Sequence, residues 1–161
     1  MNTVRLGLLM LALGNCTPAP PANEPADGAD RSGPPWTVVR DRAGLTAALE
    51  ATRGRPLLLD VTASWCEPCV QLAAETFADR RVATALADHR WIALDVSDGN
   101  DAQLELQAFL GAAFLPHVLR YDDGAVLLEA LRDGARSAPP AALELGTFLD
   151  ADALLAALAR P

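Results

Sequence analysis

Cys66 and Cys69 enclose only Glu67 and Pro68, and the pair stands between the run Leu57-Leu58-Leu59-Asp60-Val61-Thr62 and a segment of helical pattern. A short apolar run led by Pro56 and bounded by Ala63-Ser64 has the form of a buried central strand. The first Cys after such a strand falls at the N-terminus of the next helix, where free N–H groups and the helix dipole favour thiolate over thiol. Cys66 is thus the candidate nucleophile. One helical turn on, Cys69 can attack the mixed disulfide that Cys66 forms, so the pair can cycle between dithiol and disulfide with Cys69 as the resolving thiol. Pro68 suits the start of a helix, where its missing N–H is not needed. Two other readings stay open, half of a zinc site and an inert structural disulfide. Zinc needs about four ligands, and the remaining candidates are Cys16 with His89 and His117, which are 28 positions apart and outside the usual short spacings. A purely structural disulfide around so small a loop would stabilise little, because its entropic effect grows with loop length.

The elements that must position this pair follow from periodicity. Trp36-Thr37-Val38-Val39-Arg40 is β-rich, and Leu45, Ala48 and Leu49 have helical spacing that ends near Gly54. After the Cys pair, Val70, Ala73, Ala74 and Phe77 mark one face of a helix, and Asp79 can cap a continuation through Val82, Ala83 and Leu86. Trp91-Ile92-Ala93-Leu94-Asp95-Val96 reads as a strand. Leu104, Leu106, Phe109 and Leu110 mark a helix opened by Asn100 or Asp101 and closed by Gly111. Asp122-Asp123-Gly124 between Val118–Tyr121 and Ala125–Leu128 carries a hairpin signal. Arg132 to Leu145, with Pro139-Pro140, reads as an extended loop, and a last helix starts at Thr147 or Asp150. The order β-α-β-α-β-α-β-β-α predicts an α/β domain: a central mixed sheet with helices on both faces, ending in a β-hairpin plus helix.

The N-terminal stretch bears on compartment. Arg5 precedes the apolar run Leu6–Leu13 and then Gly14-Asn15-Cys16, the pattern of an export signal over residues 1–15. Cys16 sits where bacterial lipoprotein signals place the Cys that becomes lipidated, although Asn15 departs from the small residue usual before it. Cleavage after Ala19 or Ala22 is the alternative. With three Cys in the chain and two of them paired, lipidation would account for the third. Residues 16–35, rich in Pro, read as an extended tether, so that the domain spans 36–161. The whole chain of 161 residues is 51% apolar, enough for one cored domain, and no apolar run reaches the roughly 20 residues of a membrane-spanning helix. All 13 basic residues are Arg, against 21 acidic ones, a net charge of −8 that argues against nucleic acid as a partner.

Asp60-Val61-Thr62-Ala63-Ser64-Trp65-Cys66-Glu67-Pro68-Cys69 resembles the active-site segment of the thioredoxin family. Glu75-Thr76-Phe77-Ala78-Asp79 with Val82, then Asp95-Val96 and Asn100-Asp101-Ala102-Gln103, is most similar to the C-terminal periplasmic domain of DsbD-type transmembrane thiol reductases. Leu115-Pro116 matches the family's cis-proline, and Gly146-Thr147-Phe148 the approach to its last helix, so the resemblance runs from Trp36 to Leu158. It implies a thioredoxin fold in which Trp65 packs beside the nucleophile and Pro116 sits opposite the Cys pair. The backbone at Leu115 would pair with an incoming peptide. Asp60 would be a buried carboxylate behind Cys69, its pKa raised by desolvation so that it exchanges a proton with that thiol. Ordinary readings of the same residues are core packing for Trp65 and a water-facing strand end for Asp60.

Three departures from the family pattern matter. Val70 stands where many members carry Lys, and Glu67 brings negative charge close to Cys66, both of which disfavour the thiolate and make the pair more reducing. His117 follows the proline where Thr is common; protonated and near Cys66 it would oppose that trend, and as a hydrogen-bonded strand residue it would not. His89 reads as a surface residue. The expectation is an exported protein-disulfide reductase with Cys66, Cys69 and Asp60 in the chemistry and Trp65, Glu67, Pro68, Leu115, Pro116 and His117 against the substrate. It would need no metal or organic cofactor, would act on thiols and disulfides of exported proteins, and would be recharged by a membrane thiol reductase. Its place would be the periplasm, at a membrane surface if Cys16 is lipidated. An oxidase or isomerase using the same Cys pair, and a binding module without turnover, are the alternatives.

Overall fold

The computed structural model describes residues 34–159. The export signal, Cys16 and most of the tether lie outside the described residues. Five strands form one mixed sheet: β1 (Thr37–Val39), β2 (Leu57–Thr62), β3 (Arg90–Asp95), β4 (His117–Tyr121) and β5 (Leu143–Leu145). Their order is β1-β3-β2-β4-β5. β3 runs parallel to both β1 and β2, whereas β4 runs antiparallel to β2 and β5. β2 is central, and Leu57 through Val61 are all buried, as the continuous apolar run requires.

Helices cover both faces. α1 (Arg42–Glu50), α4 (Asp101–Leu110) and α5 (Ala125–Arg132) share a core with Leu57, Leu59 and Val61, the residues of β2 that point to one side. α2 (Glu67–Gln71), α3 (Arg80–Ala85) and α6 (Ala151–Leu158) lie on the side of Leu58, where Leu72, Phe77, Val82, Trp91 and Leu154 gather. Caps fall where the residue types place them. Asp79, Asn100 and Asp150 each accept a backbone N–H with the side chain, and Gly111 ends α4 at φ 75°, a left-handed conformation that suits glycine. Among the described residues no helix is long and apolar enough to cross a membrane.

Two elements differ from the sequence-based expectation. The antiparallel pair near the C-terminus exists, but its return arm is β5 (Leu143–Leu145), within the segment read as a loop; Ala125–Leu128 is instead the first half of α5. Gly124 has φ −66°, not the positive φ of a tight hairpin turn, and Asp123 Oδ1 accepts from the Ala125 N–H at 2.8 Å to start a helix. Leu127, Leu128 and Leu131 then bury together at helical spacing. The second difference is the face of the helix after the Cys pair. α2 passes into a π turn over Leu72–Thr76, closed by the Phe77 N–H on the Leu72 carbonyl at 3.0 Å. The buried side chains are Cys69, Leu72, Thr76 and Phe77, while Val70, Ala73 and Ala74 are exposed.

Phe77 anchors this layer, packing edge-on against Trp36 at 5.1 Å and Trp91 at 5.8 Å between ring centroids. It is 1% exposed. Truncation leaves a cavity between two Trp rings, so Phe77→Ala is expected to lower unfolding free energy by about 3–5 kcal/mol. Urea unfolding followed by Trp fluorescence measures this, and a loss under about 1 kcal/mol would mean that the layer closes over the gap.

Candidate active site

β2 ends at Thr62, and the turn Ala63–Trp65 delivers Cys66 to the head of α2. Cys66 has extended backbone (φ −88°, ψ 98°); its N–H donates to the Ala63 carbonyl at 3.1 Å, and its own carbonyl accepts from Cys69 and Val70 at 3.0 and 3.1 Å. The turn thus closes without help from the thiol, which stays available for chemistry. Cys66 and Cys69 are joined in a disulfide with Cα atoms 5.3 Å apart. They differ in access. Cys66 opens on a groove walled by Trp65, Pro68, Leu104, Phe114 and Leu115, whereas Cys69 lies under the opposite side of the turn, toward Val38, Val70 and Ala93. The first groove gives access to Cys66, while Cys69 is held behind it.

The turn is fixed from the end of β3. The Ser97 hydroxyl accepts the Ser64 N–H at 2.8 Å and is itself bonded to the Asp95 carboxylate, while the Ser97 carbonyl accepts the Trp65 indole N–H at 3.1 Å. Asp95 also holds Arg40 at 3.0 Å. Burial pushes the Asp95 carboxyl up, but the hydrogen bonds from Ser97 and Arg40 outweigh it and leave its pKa below the ordinary range. Trp65 is not core: it is 66% exposed, and its indole lies tethered beside Cys66.

Pro116 follows a cis peptide bond and leads directly into β4. Leu115 reaches the groove at Cys66, as do Trp65, Glu67 and Pro68. Pro116, buried and also expected against the substrate, is not among the residues that line it, and neither is His117. As the first residue of β4 it is 4% exposed, with Nε2 3.3 Å from Glu144 Oε1 but outside hydrogen-bond geometry. Burial lowers its pKa, only partly offset by Glu144, so it supplies no positive charge at neutral pH. His89 accepts a hydrogen bond from Arg120 at 3.0 Å and lies apart from the site. Phe114, Leu104 and Ser97 complete the surroundings of the turn; sequence reasoning assigns no site role to Phe114 or Ser97 and counts Leu104 on the apolar face of α4, where it is instead 53% exposed. An aromatic residue placed beyond the helix-ending Gly111 and two before Pro116 was the available signal for Phe114.

Asp60 points to the face on which the Glu67–Thr76 helical segment packs, between Val118 of β4 and Ala93 of β3. It is 3% exposed, Oδ1 has no hydrogen-bond partner, and burial pushes its pKa up to about 7. Neither neighbour offers a charge or a donor. Among the described residues no three His, Cys, Asp or Glu side chains gather as metal ligands.

The raised pKa has a signed consequence for stability. In the unfolded chain Asp60 ionises near its ordinary value of 3.8, and in the folded chain near 7, so between these pH values only the folded state keeps the proton. Stability therefore falls as pH rises through that window, by on the order of 4 kcal/mol, and is level above it. Asp60→Asn removes this dependence. The oxidised variant is expected to be more stable than wild type at pH 8, with a gap that narrows toward pH 4; urea unfolding at both pH values measures it, and an equal gap would contradict the assignment.

Comparison with known proteins agrees with this architecture. A family model described as thioredoxin-like matches residues 43–123. The thiol:disulfide interchange protein DsbD of Escherichia coli strain K12 is 35% identical over 88 residues, which is 54% of this chain and 15% of that protein. DsbD of Campylobacter jejuni strain RM1221 is 33% identical over 73 residues, covering 45% of this chain and 13% of that protein. The chain thus spans about one seventh of the length of these relatives. The crystal structure of the oxidised C-terminal domain of Neisseria meningitidis DsbD superposes with a TM-score of 0.53 at 21% identity, over 74% of this chain and 95% of that one. The matched segment runs from α1 through the Cys66–Cys69 turn to β4, half of the chain, and by it the chain belongs to the thioredoxin-like family.

Proposed function

We propose that this chain is an exported thiol:disulfide oxidoreductase that works as a protein-disulfide reductase. The observation that carries the reading is the Cys66–Cys69 pair at the head of α2, with Cys66 opening on an apolar groove beside the cis Leu115-Pro116 bond. In the dithiol form the Cys66 thiolate attacks one sulfur of a substrate disulfide, forms a mixed disulfide and displaces the other sulfur as a thiolate. Cys69, deprotonated, then attacks Cys66 Sγ, closes the intramolecular disulfide and releases the second substrate sulfur. Two electrons and two protons pass to the substrate. Asp60, with its pKa near 7, is suited to take the Cys69 proton at neutral pH.

Among the described residues no basic side chain lines the groove at either sulfur, which supports the reducing direction. Glu67 lies within the pair and Val70 follows it, and burial keeps His117 neutral, so among the described residues the helix terminus favours the thiolate while Glu67 opposes it. Strong oxidants stabilise their reduced form, and these surroundings do the opposite. The relatives named thiol:disulfide interchange protein support thiol and disulfide substrates, and in this reading a membrane thiol reductase restores the dithiol. We place the protein in the periplasm, lipid-anchored through Cys16 behind a 16–35 tether, with no role for nucleic acid, metal or organic cofactor.

The reduced full chain carrying Cys16→Ser is expected to reduce the disulfides of insulin. Cys66→Ser should lower the rate at least about 1000-fold, whereas Cys69→Ser should accumulate a mixed disulfide on Cys66 visible by mass spectrometry. Activity retained in Cys66→Ser would contradict the reading. Whole-protein mass after membrane extraction tests the anchor, since an unlipidated product starting beyond Cys16 excludes it.

A further inference from the structure

The groove at Cys66 has a chemical bias that narrows its partner, given the reductase reading above. Its walls are apolar and open: Trp65 is 66% exposed, Phe114 77% and Leu104 53%. Large apolar side chains left so exposed on one surface are characteristic of a contact site. A second apolar groove continues the first, sharing Leu104, Gln107 and Ala113 with it and running on to Gly111 at the end of α4. The apolar track thus extends from the reacting sulfur past Phe114 and along α4. Among the described residues Glu67 is the only charged side chain lining either groove, and it adjoins Cys66 in the chain. Beyond the rim, Asp98, Asp101 and Glu105 are exposed on the β3–α4 turn and on α4, while Arg40, the basic residue at the end of β1, is held by Asp95.

We propose that this surface selects disulfides in an extended polypeptide that carries an Arg or Lys next to the attacked Cys and a large apolar residue two positions from it. The cation pairs with Glu67, and the apolar side chain seats against Phe114 and Leu104. Recognition and chemistry are then linked. Glu67 disfavours the Cys66 thiolate in the free protein, and a substrate cation that neutralises Glu67 removes this penalty as the disulfide arrives. The surrounding acids and the net charge of −8 attract the same substrates at longer range.

Four eight-residue peptides, each a symmetric disulfide of one Cys, test this: Arg or Glu beside the Cys, crossed with Leu or Ser two positions away. Rates with the reduced full chain carrying Cys16→Ser are divided by rates with a neutral small dithiol, which removes the intrinsic reactivity of each peptide. The Arg/Leu peptide is expected to react about tenfold faster than Glu/Ser, with the charge part shrinking as salt rises. Glu67→Gln should abolish most of the Arg-over-Glu preference and keep the Leu preference; Phe114→Ser should do the reverse. Equal normalised rates for all four peptides, or preferences untouched by these substitutions, would overturn the inference and leave the reductase reading standing. If none of the four is reduced while the small dithiol reduces them all, the reductase reading itself fails.

Discussion

β2 lies between β3 and β4, paired parallel with the first over Leu57–Thr62 and antiparallel with the second over Leu57–Val61. The site depends on this placement. Parallel pairing brings the C-terminal ends of β2 and β3 to one edge of the sheet, so the turn bearing Cys66 emerges beside the Asp95–Ser97 segment that holds it. Antiparallel pairing sets the beginning of β4 at that same edge, and with it Leu115-Pro116. Three segments far apart in sequence meet there because one buried strand fixes their register. Slipping β2 by one residue would turn Leu58 and Asp60 into the layer of α1, α4 and α5 and send Leu57, Leu59 and Val61 into the opposite layer, breaking the packing of both.

The electrostatics of the site follow from what the sheet places around the Cys pair. Asp60 sits in the buried row between Val118 and Ala93, with neither charge nor donor beside it, and so holds its proton to about pH 7. His117 is buried against β5 and neutral, and Glu67 stands at the exposed start of α2. Among the described residues no basic side chain lines the groove at either sulfur, and Arg40 is held by Asp95. The same arrangement disfavours a stabilised thiolate in the free protein and leaves a negative charge for a substrate cation to meet.

Much of this was legible in the residues because the signals were local. The apolar run of β2, the Cys spacing, the caps at Asp79, Asn100 and Asp150, and Gly111 each act within a few positions of themselves. The misread parts involve choices that local pattern leaves balanced. Asp122-Asp123-Gly124 can turn a hairpin or open a helix, and Ala125-Val126-Leu127-Leu128 has no alternation to decide; Leu131, one turn beyond Leu127, tips it to α5. The helical face after Cys69 shifted because the π turn adds a residue between Leu72 and Phe77, so both bury while Val70 and Ala73 do not. β5 is three residues at a sheet edge, too short to show a period. Ser97 was invisible because its partners Ser64 and Trp65 lie more than 30 positions away, joined only by the parallel register.

The central claim is that these surroundings make the Cys66–Cys69 pair a reductant. Its reduction potential, measured on the full chain carrying Cys16→Ser by equilibration in dithiol and glutathione buffers with thiol trapping and mass spectrometry, tests this directly. The account predicts a value near the roughly −270 mV of thioredoxin. A value approaching about −120 mV would show a stabilised dithiol, and electron flow would run the other way.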